Sequence, residues 1–223
     1  MGFIDENDAK KVKEELQRMK DPIKLVVFTQ EFECTSCKEN RVLVEELADL
    51  SDKLSVEVRD FQKDRDAAKK YGIDKIPATV ILGPGDVDYG LRFFGIPAGY
   101  ELVSLLDTIV WASRSDSGLE AGSRTRLKGV DVPLDVMVFV TATCPYCPQM
   151  AKLAYKTAIE NPNISASVIE AGAFQPLAMK YAVFGVPKVV ISDVVEFTGA
   201  LSEDAFISQL LDAAEKVKAR GGG

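Results

Sequence analysis

The pattern of apolar and polar positions along the chain predicts the same series of elements twice. A helix opens each half, over residues 5–19 and, with a weaker pattern, over about residues 116–128. Apolar runs rich in Val and Phe, bounded by loops, follow at residues 25–29 and 136–141. Such runs are typical of buried central strands.

The remaining elements are predicted in matching order in the two halves. They are a helix to about Ser51 or Asn161, a strand at 55–60 or 166–170, a short helix ending at Tyr71 or Tyr181, two further strands, and a terminal helix at 99–113 or 203–218. The order α-βαβα-ββα, repeated once, predicts an α/β protein built of two similar units.

The two halves are related by a repeat of about 110 residues. Residues 71–81 align without gaps to residues 181–191, and Asp60 falls on Glu170 at the same offset. Residues 114–118 are polar and follow a helix end, which predicts domains at 1–115 and 116–223. The terminal residues 221–223 are three glycines without pattern and are predicted to be disordered.

Length and composition leave the cysteines available for chemistry. The chain has 223 residues, of which 47% are apolar and 27% charged. A domain usually has roughly 100–200 residues, so two domains fit. Each half is long enough to bury a core without disulfides, which are usually needed only below about 40 residues.

Charge and hydropathy exclude several classes of partner. The net charge of −7 argues against nucleic acid or an anionic membrane surface, because both attract basic patches. Residues 1–20 lack the apolar segment of a signal peptide, and the most apolar stretch, 136–140, is too short to span a bilayer. The expected location is the cytoplasm, where paired cysteines are more often catalytic or metal-binding than structural.

All four cysteines lie in two C-x-x-C motifs, Cys34-Thr-Ser-Cys37 and Cys144-Pro-Tyr-Cys147. Pro77 follows the first cysteine of its motif by 43 residues, and Pro187 follows its own by the same distance. One C-x-x-C is a weak signal. Two motifs, each with a matched downstream proline, indicate a duplicated redox domain with a dithiol–disulfide centre in each copy.

The position of each motif at the start of a predicted helix explains the chemistry. Sulfurs three residues apart on a helix are within disulfide range. Unpaired N–H groups and the helix dipole stabilise a thiolate at the first cysteine, which lowers its pKa from ~8.5 into the range ~3.5–7.5. Cys34 and Cys144 are therefore the predicted exposed nucleophiles, and Cys37 and Cys147 the more buried resolving thiols. The chain has no histidine, so imidazole catalysis is excluded.

The two centres are predicted to differ in acidity. Cys144 has uncharged neighbours, with Pro145 expected at the first helical position. Cys34 lies among carboxylates, namely Glu31, Glu33 and Glu39. Negative neighbours disfavour a thiolate, so Cys144 is predicted to have the lower pKa.

Proline stands at the start of a predicted strand in both Ile76-Pro77 and Val186-Pro187. A cis bond would place the preceding backbone beside the sulfurs, where a substrate could pair as an added strand. These four residues are the predicted substrate-binding positions, and an ordinary trans proline in an edge strand is the alternative.

Four charged positions near the motifs are interpreted as surface residues. Asp60 and Glu170 could relay a proton if buried. Their position after a strand instead favours exposed loop charges, so they are not counted as catalytic. Arg41 and Lys152 are each predicted to lie on the solvated face of the active-site helix that carries them.

A metal or iron–sulfur module is the alternative use of the four thiolates. Zinc ribbons place two C-x-x-C pairs about 15–20 residues apart. Here 107 residues separate Cys37 from Cys144. The spacing favours redox chemistry without a metal.

With these residues in place, the chain resembles the thioredoxin superfamily. It looks like the two-domain protein disulfide oxidoreductases of thermophilic archaea and bacteria, which are described as glutaredoxin-like. The resemblance rests on the two C-x-x-C motifs, of which Cys-Pro-Tyr-Cys is that of glutaredoxins, on the two x-Pro pairs, and on residues 94–99, Phe-Gly-Ile-Pro-Ala-Gly.

This resemblance implies a fold and an activity. It implies two tandem thioredoxin-like folds, each a four-stranded mixed sheet flanked by helices, with the x-Pro bonds cis. It implies reduction, formation and isomerisation of protein disulfides, with reducing equivalents from NADPH through a flavin thioredoxin reductase and no cofactor or metal bound to the chain. An electron-transfer subunit between a flavin reductase and a peroxidase is the third interpretation, although one motif is then usually degenerate.

Overall fold

The computed structural model describes residues 3–221, and this part of the chain folds into eight α-helices and eight strands. The first unit contains α1 (Glu6–Leu16), β1 (Ile23–Thr29), α2 (Cys37–Ala48), β2 (Leu54–Asp60), α3 (Arg65–Lys70), β3 (Ala78–Gly83), a 3₁₀ turn (Pro84–Asp86), β4 (Val87–Phe94) and α4 (Tyr100–Arg114). The second unit contains α5 (Ala121–Leu127), β5 (Leu134–Val140), α6 (Cys147–Glu160), β6 (Ile164–Glu170), α7 (Gln175–Lys180), β7 (Lys188–Ile191), β8 (Val195–Thr198) and α8 (Glu203–Gly221).

The predicted order of elements is confirmed in both units, with differences at helix ends. Helix α5 begins at Ala121 rather than near Asp116. Gly221 is the last residue of α8, contrary to the predicted disorder there, while Gly222 and Gly223 lie outside the described residues. No helix within residues 3–221 is both long and apolar enough to cross a membrane.

The eight strands form one mixed sheet in the order β2-β1-β3-β4-β6-β5-β7-β8. Each unit contributes a four-stranded mixed sheet, as the resemblance implies. Strands β4 and β6 then pair in parallel, with residues 91–94 against residues 166–169, and join the two sheets. The sequence did not predict this continuity, because an edge strand carries no signal for the partner that it will meet.

Where β4 meets β6, the close approach of the two units depends on a glycine and on a buried hydroxyl group. A Cβ atom at Gly95, which has φ +111°, would lie 2.6 Å from Cβ of Glu170. The hydroxyl of Tyr155 on α6 crosses from the second unit and donates to the carbonyl of Arg92 in β4 at 2.8 Å. The two units therefore share backbone hydrogen bonds and a buried side-chain contact.

Strands β1, β3, β5 and β7 bury residues on both of their faces, which explains why they appear in the sequence as apolar runs rather than as alternating patterns. In β1, Val27 packs in the larger core under α1, α2 and α4, and Val26 packs in the smaller core beside α3. The larger core continues under α5, α6 and α8. Helices α3 and α7, each six residues long, cover the other face.

Candidate functional site

The two C-x-x-C motifs lie at the same edge of the sheet. Strands β1 and β5 run in the same direction, and each motif follows the carboxyl end of its strand. Four strand-to-strand intervals of about 4.8 Å separate β1 from β5, so the two centres are roughly 19 Å apart along the sheet.

Each pair of cysteines is joined as a disulfide, Cys34–Cys37 and Cys144–Cys147, with Cα atoms 5.5 Å apart in both. The helices begin at the second cysteine of each motif, not at the first as predicted. The first cysteine lies in the preceding turn. Pro145 is therefore in that turn rather than in the helix, and Pro148 occupies the first helical turn, where a missing N–H costs nothing.

The helix amides still reach the first sulfur of the second centre. The Cys147 N–H donates to Cys144 Sγ at 3.1 Å. No equivalent contact to Cys34 occurs among residues 3–221. An N–H group directed at sulfur favours the thiolate after reduction.

Burial separates the two sulfurs of each pair in the predicted direction. The second cysteines, Cys37 and Cys147, are 1% and 0% exposed. Cys34 is half-buried, whereas Cys144 is 8% exposed, which is less than expected of a nucleophile that a protein substrate must reach. The first cysteine is therefore the less buried of each pair, but Cys144 is itself buried and not exposed as predicted.

Both x-Pro bonds, Ile76-Pro77 and Val186-Pro187, are cis, as the resemblance implies. Each proline is buried directly before its strand, β3 or β7. The carbonyl oxygen of Val186 lies 3.8 Å from Cys144 Sγ. Main-chain acceptor and sulfur are thus adjacent at the second centre.

The two carboxylates that end β2 and β6 organise turns. Asp60 accepts hydrogen bonds from the N–H groups of Gln62 and Lys63, both at 2.9 Å, and these contacts lower its pKa. Glu170 likewise accepts from Gly172 and Ala173. Both residues end a strand and are half-buried, so they are less exposed than the loop charges that were predicted.

A buried acid that the sequence analysis missed lies against the helix of the second centre. Glu101, in the first turn of α4, is 1% exposed, and neither carboxylate oxygen has a hydrogen-bond partner among the described residues. Burial raises its pKa from 4.5 to about 7, although the ammonium of Lys152 opposes the shift. The Tyr100 N–H donates to the Ala142 carbonyl at 3.0 Å, which holds this helix end against the loop before Cys144.

A signal for Glu101 was present in the sequence. Glu101 occupies the helical face that Leu105, Thr108 and Ala112 share, and all of these are buried. Lys152, predicted to be solvated, instead forms an ion pair with Asp107 of α4 at 3.2 Å. The two errors have one cause, since both residues lie where α4 of the first unit packs on α6 of the second.

The cysteines pair within units rather than gathering as one ligand set. Within residues 3–221, no three or more Cys, Asp or Glu side chains form a group that could hold a metal ion.

Each unit has a C-x-x-C disulfide at the start of a helix, next to a strand that begins after a cis proline. This arrangement defines the class of protein to which the chain belongs. The chain is a thioredoxin-fold protein with two redox-active cysteine pairs. The thioredoxin-domain family profile matches residues 134–212, within the second unit. A protein disulfide oxidoreductase from Aeropyrum pernix K1 is 28% identical, with a TM-score of 0.89 over 95% of this chain and 94% of that one.

Relatives of a second kind match over nearly the same length. The F component of alkyl hydroperoxide reductase from Escherichia coli is 24% identical over 214 residues, which are 96% of this chain and 39% of that protein. A structure of the corresponding component from Enterococcus faecalis has the same fold, with a TM-score of 0.86 at 23% identity over 92% of this chain and 98% of that one. The chain spans about two fifths of the length of the curated relatives it matches.

Reduced Cys144 is expected to ionise at a lower pH than reduced Cys34. Its sulfur accepts a hydrogen bond from the Cys147 N–H, whereas Glu39 near the first centre is half-buried, with one carboxylate oxygen that has no hydrogen-bond partner among residues 3–221. At pH 6 we expect alkylation of Cys144 to be roughly tenfold faster, which corresponds to a difference of about one pKa unit.

The measurement is the rate of iodoacetamide labelling against pH in two variants that each retain one first-position cysteine and carry serine at the other three. Labelling of the unfolded variants in urea is the control for intrinsic reactivity. A lower titration midpoint for Cys34 would contradict the prediction.

Proposed function

We propose that the chain is a protein disulfide oxidoreductase that reduces, forms or isomerises disulfides in other proteins through both of its C-x-x-C centres. The observation that carries the proposal is the disulfide-bonded C-x-x-C pair before a helix in both units, with the first cysteine of each pair less buried than the second. The likeness to the Aeropyrum pernix protein over nearly the full chain supports the same activity.

In the reductive direction the second centre starts as a dithiol. The Cys144 thiolate attacks one sulfur of a substrate disulfide and forms a mixed disulfide, and the other substrate sulfur leaves as a thiolate. The Cys147 thiolate then attacks Cys144 Sγ and releases the second substrate sulfur. The substrate gains two electrons, and the protein retains the Cys144–Cys147 disulfide.

The same proposal assigns roles to neighbouring groups. Ile76-Pro77 and Val186-Pro187 are the proposed contacts for substrate backbone, supported by the position of the Val186 carbonyl beside Cys144.

The source of electrons is also part of the proposal. We infer that reducing equivalents come from NADPH through a flavin thioredoxin reductase, with the activity in the cytoplasm and with domains divided at residues 115 and 116. The left-handed conformation of Ser115 after α4 supports that division.

A second candidate function is transfer of electrons from a flavin reductase to a peroxidase. It is favoured by the match of nearly the whole chain to proteins named as a component of alkyl hydroperoxide reductase. The two intact cysteine pairs favour the protein disulfide oxidoreductase instead, because both units retain the cysteines needed for thiol–disulfide exchange.

The test of the proposed function is the reduction of insulin disulfides in the presence of dithiothreitol. Wild-type protein is expected to accelerate the reaction. Cys144→Ser and Cys34→Ser are each expected to lose part of the rate, and the double variant all of it. A double variant as active as the wild type would disprove the proposal. Peroxide-dependent NADPH oxidation with a thioredoxin reductase and a peroxiredoxin, without turnover of insulin, would instead support the second candidate.

A further inference from the structure

A buried amide lies beside the first centre. Asn40 is in α2, three residues after Cys37, and is fully buried. Its Nδ2 donates to the hydroxyl of Thr79 at 3.2 Å. Thr79 is also fully buried and stands two residues after Pro77. The remaining acceptor, Asn40 Oδ1, has no hydrogen-bond partner among residues 3–221.

An unpartnered buried carbonyl is costly, at about 1–3 kcal/mol. Residues three apart on a helix share a face, with Cβ atoms roughly 5–6 Å from each other. Cys37 and Asn40 are both on the buried face of α2, so the Cys37 sulfur is a close neighbour of the amide. In the disulfide this sulfur carries no hydrogen. On reduction it gains an S–H group, which is a weak donor.

The second centre has apolar residues at both positions. Met150 follows Cys147 by three residues, Val189 follows Pro187 by two, and both are fully buried. The amide and the hydroxyl are therefore features of the first centre and not of the fold.

We propose that Asn40 is a positioning residue, anchored by Thr79, that stabilises the reduced form of the first centre by hydrogen bonding to the Cys37 sulfur. Reduction adds two electrons and two protons to the Cys34–Cys37 disulfide and gives two thiols, one of which donates to Asn40 Oδ1. Because the threonine hydroxyl both donates and accepts, the amide can also turn and donate to a Cys37 thiolate. Either contact makes the first disulfide a stronger oxidant.

The proposal rests on the proposed function only in that the centre cycles between disulfide and dithiol. It is tested without a protein substrate, in full-length chain carrying Cys144→Ser and Cys147→Ser. The fraction of reduced first centre is measured by thiol labelling after equilibration with mixtures of reduced and oxidised dithiothreitol. We expect Asn40→Leu to lower the equilibrium constant for reduction of the first disulfide about tenfold. This corresponds to a reduction potential about 30 mV more negative, since the couple transfers two electrons.

Three further variants separate this role from a structural one. Thr79→Val is expected to lower the same constant about threefold, and Thr79→Ser, which keeps the hydroxyl, to restore it. Met150→Leu, in full-length chain carrying Cys34→Ser and Cys37→Ser, is the matched control and is expected to leave the constant of the second centre within twofold. If Asn40→Leu and Thr79→Val lowered the thermal stability but left the equilibrium constant for reduction of the first centre unchanged, the proposal would be overturned.

A spectroscopic measurement covers the case in which Asn40→Leu does not fold. The protein for this measurement is the full-length chain that carries Cys144→Ser and Cys147→Ser and retains Asn40. In its reduced form, the infrared S–H stretch of Cys37 is expected at a lower frequency than that of a thiol without a hydrogen-bond acceptor. A stretch at the free-thiol frequency would refute the inference. Both measurements are independent of insulin turnover, so failure of the proposed function leaves them interpretable.

Discussion

Replacing Glu101 by glutamine is expected to stabilise the protein by roughly 3 kcal/mol at pH 9 and to change its stability little at pH 4. The cause is the burial of a carboxyl group whose oxygens lack partners among the described residues. Glutamine has the same shape and no charge to desolvate. The interval between the ordinary pKa of 4.5 and the native value of about 7 sets the size of the effect.

The sign follows from the proton balance. Between pH 4.5 and about 7 the native protein holds a proton on Glu101 that the unfolded chain has released. Stability therefore falls as the pH rises through this window, and the penalty is complete above the native pKa. Below pH 4.5 both states are protonated, and the penalty disappears.

The measurement is urea unfolding of wild type and Glu101→Gln from pH 4 to pH 9, compared as the difference in free energy of unfolding. Glu215→Gln, an exposed change on α8, is the matched control and is expected to give a difference that does not vary with pH. If the curves of wild type and Glu101→Gln run parallel over the whole range, the buried carboxyl is not ionising as described.

Replacing Gly99 by alanine is expected to cost at least about 3 kcal/mol of stability and to disturb the second centre more than the first. Gly99 has φ +60° and ψ −129°, a conformation that is essentially restricted to glycine. A Cβ atom would lie 2.3 Å from the Ala142 carbonyl oxygen, which accepts the Tyr100 N–H. The new methyl group would force this helix end away from the loop that leads to Cys144.

The control for Gly99→Ala is Gly72→Ala. Gly72 also has a positive φ, +65°, but its added Cβ would meet no atom within 4 Å. It is expected to cost only about 1 kcal/mol, the strain of the left-handed conformation. Urea unfolding gives both stabilities, and labelling rates of Cys144 and Cys34 in the reduced proteins show which centre is disturbed. If Gly99→Ala and Gly72→Ala lost the same free energy of unfolding, the contact of the added methyl group with Ala142 would contribute nothing to the destabilisation.

Much of this arrangement was predictable because it is local or repeated. The apolar runs that became β1 and β5, the helices that follow them, and the spacing of each C-x-x-C from its proline all lie within one unit. Helix starts were misplaced by three residues, because the turn that carries Cys34 or Cys144 has the same composition as a first helical turn. Asp60 and Glu170 were expected to be exposed loop charges, and their hydrogen bonds to the turns that follow them were not anticipated.

The sequence by itself determined two α/β units, each with a cysteine pair at a strand-to-helix junction, because strand periodicity, helix periodicity and sulfur spacing are properties of short segments. Only the tertiary structure decided that β4 and β6 join the units into one sheet, that Glu101 of the first unit is buried against the active-site helix of the second, and that Asn40 meets Thr79. The physical reason is that burial and pairing depend on which surfaces meet, and these contacts join residues that are 39 or more positions apart in the chain.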